Sequence, residues 1–583
     1  MIMETKWLIK ENGHKDEIEK ISKELNVDRI IAKLLVQRDI KTYEQAEAYF
    51  RPNLSMLHDP FEMKDMDKAV ERLASAMNAN ENILIYGDYD VDGTSAVSMM
   101  YSFLKTKNEN ISFYIPDRYE EGYGLSIKGI DYAFENNCKL IITLDCGIKA
   151  IENVEYANTL DIDIIVCDHH NPDTIIPDAV AVLDPKREDC NYPYKDLSGC
   201  GVGFKLLQAY TLREQYELME ESQIAKELYP FLDLVAISIA SDIVPITNEN
   251  RILSFYGLKQ INTNPRPGIM AINQLTGIDR KEIEINDIVF KIGPRVNAAG
   301  RIESGQKSVD LLTSENPETA EAIASEVEEY NTTRKDLDQK ITEEALSMIN
   351  SDEELQNKKS NVLFNPEWHK GVVGIVASRV IEKYYKPTII LTLSNGLVTG
   401  SARSVAGFDI YKAIETCSDL LENFGGHTYA AGISLTEENL PLFIDKFEST
   451  VAESIQPESL VQQIEIDSFL KLSSITPKFF RILKQFRPFG PQNMKPVFVT
   501  KNVIDSGRGK MVGKDNDHLR LELKENIASR RPYQAIAFKQ ARHYEDIKYR
   551  KPFDICYSIE ENEYKGTKSL QLKVRDIKPV SDF

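Results

Sequence analysis

Short apolar runs that stop at acidic residues, separated by stretches of helical spacing, shape the first 250 residues. NILIYGDY at 82–89 ends in acids, and the following GTSAVSMMYSFLKT repeats apolar positions every three or four residues. ISFYIP at 111–116, KLIITLDC at 139–146, DIIVCDHH at 163–170 and AVAVLDP at 179–185 have the same form. Apolar strands alternating with helices predict a mostly parallel sheet covered on both faces. Ligands of such sheets gather beyond the carboxyl ends of the strands, which is where the acidic residues fall.

The pattern changes along the chain. Residues 12–50 predict short helices in an N-terminal appendage, and 201–243 predict helices that close the first domain at Asp242. NPRPG at 264–268 precedes IVFKIGPRVNAAGR at 288–301, and a charged helical stretch from about 315 to 355, too polar for a core, predicts a connection between two lobes. A second strand, loop and helix pattern starts with NVLFNPEWHKGVVGIVASRVIEKYY at 361–385 and continues through GLVTGSARS to GGHTYAAG at 425–432. From about 460 onwards, five short strands with polar turns predict a small barrel, with an OB fold leading and a β-sandwich as the alternative. The expected fold class is α/β: a two-lobed protein with a mostly parallel first domain, a smaller α/β second domain and a C-terminal OB-like β-barrel. The expected boundaries are 1–60, 61–250, 251–355, 356–455 and 456–583.

Charge sharpens this division. The formal net charge of −21 disfavours a polyanion partner at first sight, but residues 461–583 hold 24 Lys and Arg against 15 Asp and Glu. A basic C-terminal portion is suited to phosphate contacts while the acidic remainder keeps the protein soluble. The seven cysteines, Cys138, Cys146, Cys167, Cys190, Cys200, Cys417 and Cys556, form no CxxC pair and lie mostly in apolar runs. They predict buried small side chains in a reducing compartment. With no apolar leader and no long charge-free run, the expectation is a cytoplasmic protein with no membrane partner.

In Gly87-Asp88-Tyr89-Asp90-Val91-Asp92-Gly93 three acids alternate at a strand end. An extended chain would put all three carboxylates on one side, crowded enough to call for divalent cations. Gly93 would allow a close turn into a helix whose N-terminus, with Thr94 and Ser95, offers N–H groups to an anion. A solvated acidic loop and an imperfect calcium loop are the alternatives, and the second lacks a closing Glu. Asp145 ends one apolar run, Asp168-His169-His170 another, and Asp242 an apolar helix. Such a mixed oxygen and imidazole set suits Mn²⁺ or Mg²⁺, with enough ligands for two ions that activate water for attack at phosphorus. Ser401, Arg403 and His427 lie among small residues and are candidates for gripping phosphate, as are Arg295 and Arg301, for which a surface ion pair is the alternative.

GDYDVDGTS at 87–95, LDCG at 144–147, DHH at 168–170 and SDIVP at 241–245 resemble the four motifs of the DHH phosphoesterase superfamily. WHKGVVGIVASR, GSARS and GGHTYAAG resemble its associated substrate-binding domain, and with GPRVNAAGR and the C-terminal strands the resemblance extends over about residues 60–583. It implies that Asp90, Asp92, Asp145, His169 and Asp242 bind metal, with Asp88 and Asp168 close by and His170 near ligand or phosphate. It implies substrate contacts from Ser401, Arg403 and His427. In the exonuclease branch of the superfamily it further implies release of mononucleotides from the 5′ end of single-stranded DNA in recombination and repair, with the OB-like domain holding the strand. The expected partners are single-stranded DNA, a helicase and a single-stranded-DNA-binding protein, acting with a monomer. Tyr86 departs from the pattern, standing where several smaller relatives have a metal-binding histidine; a phenol is a poor ligand at neutral pH. On the barrel, Phe486, Arg487, Phe489, Arg508, Lys510 and Tyr564 are candidates for stacking and backbone contacts, with core packing the alternative for the two phenylalanines. Two other readings remain open: the same chemistry on short oligonucleotides or cyclic dinucleotides, and a catalytically inert nucleic-acid scaffold.

Overall fold

The structure, a computed structural model, describes residues 5–11, 14–215, 226–279, 281–529, 531–564 and 567–580. Its contacts divide the chain into two compact units, Pro52–Leu460 and Met1–Arg51 with Val461–Phe583.

The larger unit contains both α/β lobes. In the first, five parallel strands lie in the order Ile111–Tyr114, Asn82–Gly87, Cys138–Leu144, Asp163–Cys167, Ala181–Leu183. Both faces are covered because successive residues feed opposite cores. Ile83, Ile85, Leu140, Ile142 and Ile165 join one, and Leu84, Tyr86, Ile141, Ile164 and Val166 join the other. The strand order reverses direction between Asn82–Gly87 and Cys138–Leu144, and their carboxyl ends deliver Asp88 and Asp145. That reversal opens a crevice at the sheet edge where a ligand can enter.

The second lobe is a mixed sheet in the order Asn423–His427, Ala430–Leu435, Leu397–Arg403, Thr388–Ser394, Asn361–Phe364. The last pair is parallel and the others antiparallel. Between the lobes runs a 35-residue helix, Pro317–Ser351, capped by Asn316, whose side chain accepts from Glu318 N and Thr319 N. Polar as this helix is overall, it carries a narrow apolar stripe. Ala324 and Val327 pack into the first lobe, and Ile341, Ala345 and Ile349 into the second with Val373, Val376 and Val380. Spacing of three and four places these residues on one face, so a mostly charged helix still ties the lobes together.

The smaller unit joins the two ends of the chain. Strand Lys6–Ile9 pairs parallel with Gln463–Ile466. Helices Lys15–Glu24, Arg29–Val36 and Tyr43–Phe50 pack on the core of the C-terminal strands. Those strands form a seven-stranded mixed sheet in the order Ser468–Phe469, Phe498–Asp505, Phe553–Tyr564, Thr567–Pro579, Tyr533–Ala537, His518–Lys524, Lys510–Val512. A further pairing, Ile504 with Lys524 and Asp505 with Leu523, brings the second strand back to the sixth. Phe486 is fully buried against Tyr49 and Phe50, with the Arg38 guanidinium over its ring. It is therefore a core side chain and not a platform for bases, and Phe489 packs against the same core. Arg508 and Lys510 are exposed, Arg487 is half-buried, and the side chain of Tyr564 lies outside the described residues. All seven cysteines are free and buried, and no helix among the described residues is long and apolar enough to cross a membrane.

Candidate active site

The acidic turn after strand Asn82–Gly87 differs from the extended alternation expected. The strand stops at Gly87 and helix Val91–Lys105 begins at once, with Asp90 as its cap. The Asp90 carboxylate accepts from Asp92 N at 2.8 Å and Gly93 N at 3.1 Å. These are the first free N–H groups of the helix, so a carboxylate of the chain itself takes up donors that the sequence suggested for an external anion. Thr94 Oγ1 donates to Asp90 O, and Ser95 is fully buried. Asp92 points back from the first helical turn and accepts from Gly199 N, Cys200 N and Ser238 Oγ, each at 2.7 Å. Gly93 is required there because a Cβ would lie 2.4 Å from Asp88 O.

Asp145 follows the central strand at φ 61, and its amide donates to Cys167 O. Gly199 makes room for it, since a Cβ there would fall 2.6 Å from Asp145 Oδ1. His169 Nε2 lies 3.1 Å from Asp145 Oδ1, 3.6 Å from Asp242 Oδ2 and 3.9 Å from Asp92 Oδ2. Close as these atoms are, His169 Nε2, Asp145 Oδ1 and Asp88 Oδ1 are buried without a hydrogen bond among the described residues. Three overlapping groups have mutually near ligand atoms, all within 4.8 Å: Asp88, Asp90 and Asp145; Asp92, His169 and Asp242; Asp145, His169 and His170.

Asp168 has a different environment. One oxygen accepts from His169 N at 2.7 Å, His170 N at 3.1 Å and His170 Nδ1 at 2.7 Å, and the other from Ile148 N at 2.9 Å. Its lone pairs are thus committed to shaping the turn and orienting His170. Burial would raise its pKa, but the His170 hydrogen bond and charge, with the other donors, hold it at about 2. Burial and then the charge of Asp90 push Asp88 well above the carboxylate range, and raise Asp92 to about 6. Burial and the charge of Asp92 raise Asp145 and Asp242 likewise. Burial and the neighbouring His170 lower His169 to about 3, leaving a neutral imidazole. Buried carboxylates that repel one another, beside a neutral imidazole and unpaired acceptor atoms, fit a hard divalent cation such as Mn²⁺ or Mg²⁺.

Facing these acids is a set of guanidiniums. A cavity of about 250 Å³ is lined by Asp90, Asp92 and Asp242 and also by Arg301, Arg334 and Ile375. Burial, with Arg118, Arg334 and Arg403 nearby, lowers the pKa of Arg301 to about 10. Arg301 Nη1 donates to Gly371 O of the second lobe, and Tyr119 Oη donates to Arg301 O. The Arg118 guanidinium lies 3.9 Å from the Tyr89 ring centre and donates from Nε to Gly300 O. Arg403 donates from Nη1 to Ser401 Oγ and Ala402 O, on the strand that faces Gly374. His427 stands on the hairpin of the second lobe, close enough to the first for His170, Lys186 and Lys149 to add to the effect of burial and lower its pKa.

Arg295 is placed otherwise. Its guanidinium binds Glu328 of the long helix, Nε to Oε2 at 2.5 Å and Nη2 to Oε1 at 3.0 Å, and donates from Nη1 to Lys291 O. Its fork therefore serves as a strut between helices and is not free for phosphate. Tyr86 is fully buried, donates to Gly124 O, accepts from Ser126 N and stacks on Tyr114, away from the carboxylates. Sequence reasoning missed Tyr123, Arg118 and Arg334. Tyr123 Oη donates to Asp145 O at 3.0 Å and lies 3.1 Å from His170 Nδ1. Two tyrosines and an arginine close together in DRYEEGYG at 117–124 are the signal that could have found the first two. Arg334 sits among charges that read as an exposed helix face, and nothing in the sequence marked it.

Comparisons with known proteins agree with this geometry. Residues 82–239 match the DHH family N-terminal domain, 357–453 the DHHA1 domain and 466–576 the RecJ OB domain. The chain is 32% identical to the single-stranded-DNA-specific exonuclease RecJ of Bacillus subtilis over 98% of its own length and 70% of that protein's. Against the RecJ of Escherichia coli it is 32% identical over 94% and 96% of the two chains. The crystal structure of RecJ from Thermus thermophilus in complex with Mn²⁺ superposes with a TM-score of 0.83 at 24% identity, covering 99% of this chain and 80% of that one. A structure of exonuclease RecJ bound to manganese, 28% identical, gives 0.58 over 69% of this chain and 97% of its own.

Proposed function

The chain belongs to the DHH family of RecJ-type exonucleases, and from that membership we propose that it hydrolyses single-stranded DNA from the 5′ end, releasing mononucleotides, with Mn²⁺ or Mg²⁺ bound. The observation that carries the reading is the cavity with the carboxylates of Asp90, Asp92 and Asp242 on one side and the guanidiniums of Arg301 and Arg334 on the other. A cation beside a phosphate ester satisfies both at once.

Asp88, Asp90, Asp92, Asp145, His169 and Asp242 are the residues that would hold metal. Two neighbouring ions suit ligand groups that share Asp145 and His169. Such ions supply positive charge and an acidified water for in-line displacement at phosphorus. The protein's own side chains do the remainder. Asp168 holds the His170 ring, and its charge raises the His170 pKa against the effect of burial, so His170 can carry a proton at the cleft. Arg301, with Arg118 and Arg403, binds the phosphate group, and Arg334, held by Asp338 and Asn331, adds its charge to that side of the cavity. A terminal phosphate monoester carries more negative charge than an internal diester, so a buried guanidinium cluster favours a chain end. Ser401 fixes Arg403, and His427 reaches the phosphate from the hairpin of the second lobe.

The pairing that returns strand Phe498–Asp505 to His518–Lys524 supports an OB-like barrel, whose basic surface would draw the DNA backbone towards it. We read residues 61–250, 251–355, 356–455 and 456–583 as the functional divisions. A helicase and a single-stranded-DNA-binding protein would supply strand to a cytoplasmic monomer acting in recombination and repair.

The test compares wild type with Asp90→Ala and His169→Ala on DNA and RNA, single- and double-stranded, labelled at either end, in Mn²⁺. Wild type should release the 5′ label first, as a mononucleotide, from single-stranded DNA alone. Equal release from all variants, or release of the 3′ label first, refutes the reading.

A further inference from the structure

Ile243 is out of place by every local rule. Asp242 caps helix Leu232–Ser241, and Ile243, the next residue, lies at φ 61. Helix ends place glycine or asparagine in that left-handed region, because a side chain there crowds its own carbonyl, most of all a β-branched one. Among the described residues with positive φ it is the only β-branched one, and most of the non-glycine others are Asn or Asp. Burial does not offset the strain either, since Ile243 is 63% exposed.

It directly follows two residues of the candidate active site. Ser241 and Asp242 line the cavity, and Gly293 approaches so closely that a Cβ there would lie 2.9 Å from Ser241 Oγ. Phe290, 72% exposed, stands on the π-helical turn Ile288–Ile292, whose Val289 lines the same cavity. Such turns gather at functional sites. Two exposed apolar side chains, Ile243 and Phe290, thus each stand next in sequence to a residue that lines the charged cavity.

We propose that Ile243 contacts substrate: its side chain is an apolar lip against which the deoxyribose and base beside the scissile phosphate pack. The inference rests on the function proposed above. Strain held at a functional corner is retained for what the corner presents. Here the left-handed turn keeps Asp242 facing the cavity while its successor projects outward. Every nucleotide has an apolar sugar face and base plane, so the lip binds without reading sequence. Its contribution, unlike that of the arginines, is insensitive to salt.

Three full-length variants test this. Ile243→Gly and Ile243→Asn keep the turn and remove the apolar side chain, whereas Ile243→Leu keeps an apolar one. On a 5′-phosphorylated single strand in Mn²⁺, the Gly and Asn variants should show KM raised about tenfold, with kcat within about twofold and the salt dependence of KM unchanged. Their Tm should equal or exceed that of wild type. Ile243→Leu should keep KM within about twofold of wild type. Unchanged KM in the Gly and Asn variants overturns the proposal, as does an equal rise in the Leu variant, which would show that an apolar side chain at this position does not hold KM down. If wild type hydrolyses no strand, the functional reading itself fails. Fluorescence anisotropy with the same strand then decides the lip separately, since equal Kd for wild type and Ile243→Gly sinks it.

Discussion

The two sides of the central cavity hold opposite charges buried under similar constraint, yet they are built differently. The acidic side belongs to one lobe. Asp88, Asp145 and His169 follow the carboxyl ends of adjacent parallel strands, while Asp92 and Asp242 sit at helix ends packed on that sheet. The basic side is assembled from the loop holding Arg118, helix Gly293–Ile302, the long helix bearing Arg334 and the strand bearing Arg403. A carboxylate floor on a rigid sheet keeps its geometry without substrate. The guanidinium wall depends on the lobes staying in register, which Arg301 helps to enforce through Gly371 O. On the proposed function, the sheet would fix the chemistry and the join between lobes the choice of substrate.

The largest expected effect separates the two sides. Asp145→Asn should reduce nucleotide release by on the order of 10³-fold or more, since it removes an oxygen from the space shared with His169. It should also raise the Tm of metal-free protein, because one of several repelling buried carboxylates becomes neutral. Thermal melts in chelator check this, and a lower Tm would mean that the repulsion is not there. Next in size, Arg301→Met should raise KM for a 5′-phosphorylated strand by on the order of 30-fold while leaving Mn²⁺ affinity unchanged. Arg301→Lys should recover little, because an ammonium cannot reproduce the planar fork. Calorimetric titration with Mn²⁺ that weakens in either variant would merge the two sides into one unit.

This contrast also explains what was legible in the sequence. Strand ends are local signals, so apolar runs closing on Asp88, Asp145 and Asp168 mark in the sequence itself where the acidic side begins. The detail of the 87–93 turn is hidden because an alternating DYDVD reads as extended, whereas the helix starts already at Val91. The wall was only partly visible. Arg301 and Arg403 lie in small-residue segments that hinted at close approach, whereas Arg334 belongs to a charged helix with no such hint. Arg295, the same residue type in the same GPRVNAAGR segment, faces the other way onto Glu328. Direction on a helix depends on its partner, and a segment read alone lacks that information. The N-terminal helices look like an appendage in the sequence because their partner strands lie more than 400 residues further along the chain.

Tyr123 touches both the floor and the turn after it, which makes it a finer probe. Tyr123→Phe removes a donor to Asp145 O and a partner of His170 while retaining the ring that packs on His170. A loss of about three- to tenfold in kcat with little change in KM is expected. A KM effect alone would assign the hydroxyl to the wall.

The smallest catalytic effect should come from Tyr86, which separates position in sequence from position in space. Its hydroxyl is buried between Gly124 O and Ser126 N, and its ring lies on Tyr114 in the core opposite the carboxylates. Tyr86→Phe leaves those two backbone groups without their partner and should cost about 1–2 kcal/mol in urea unfolding. Mn²⁺ affinity and kcat should stay within about twofold of wild type, since no atom of the residue enters the ligand groups. A tenfold loss of metal affinity without loss of stability would instead place the phenol on the floor, and the division between the acidic cluster and the packing behind it would have to be redrawn.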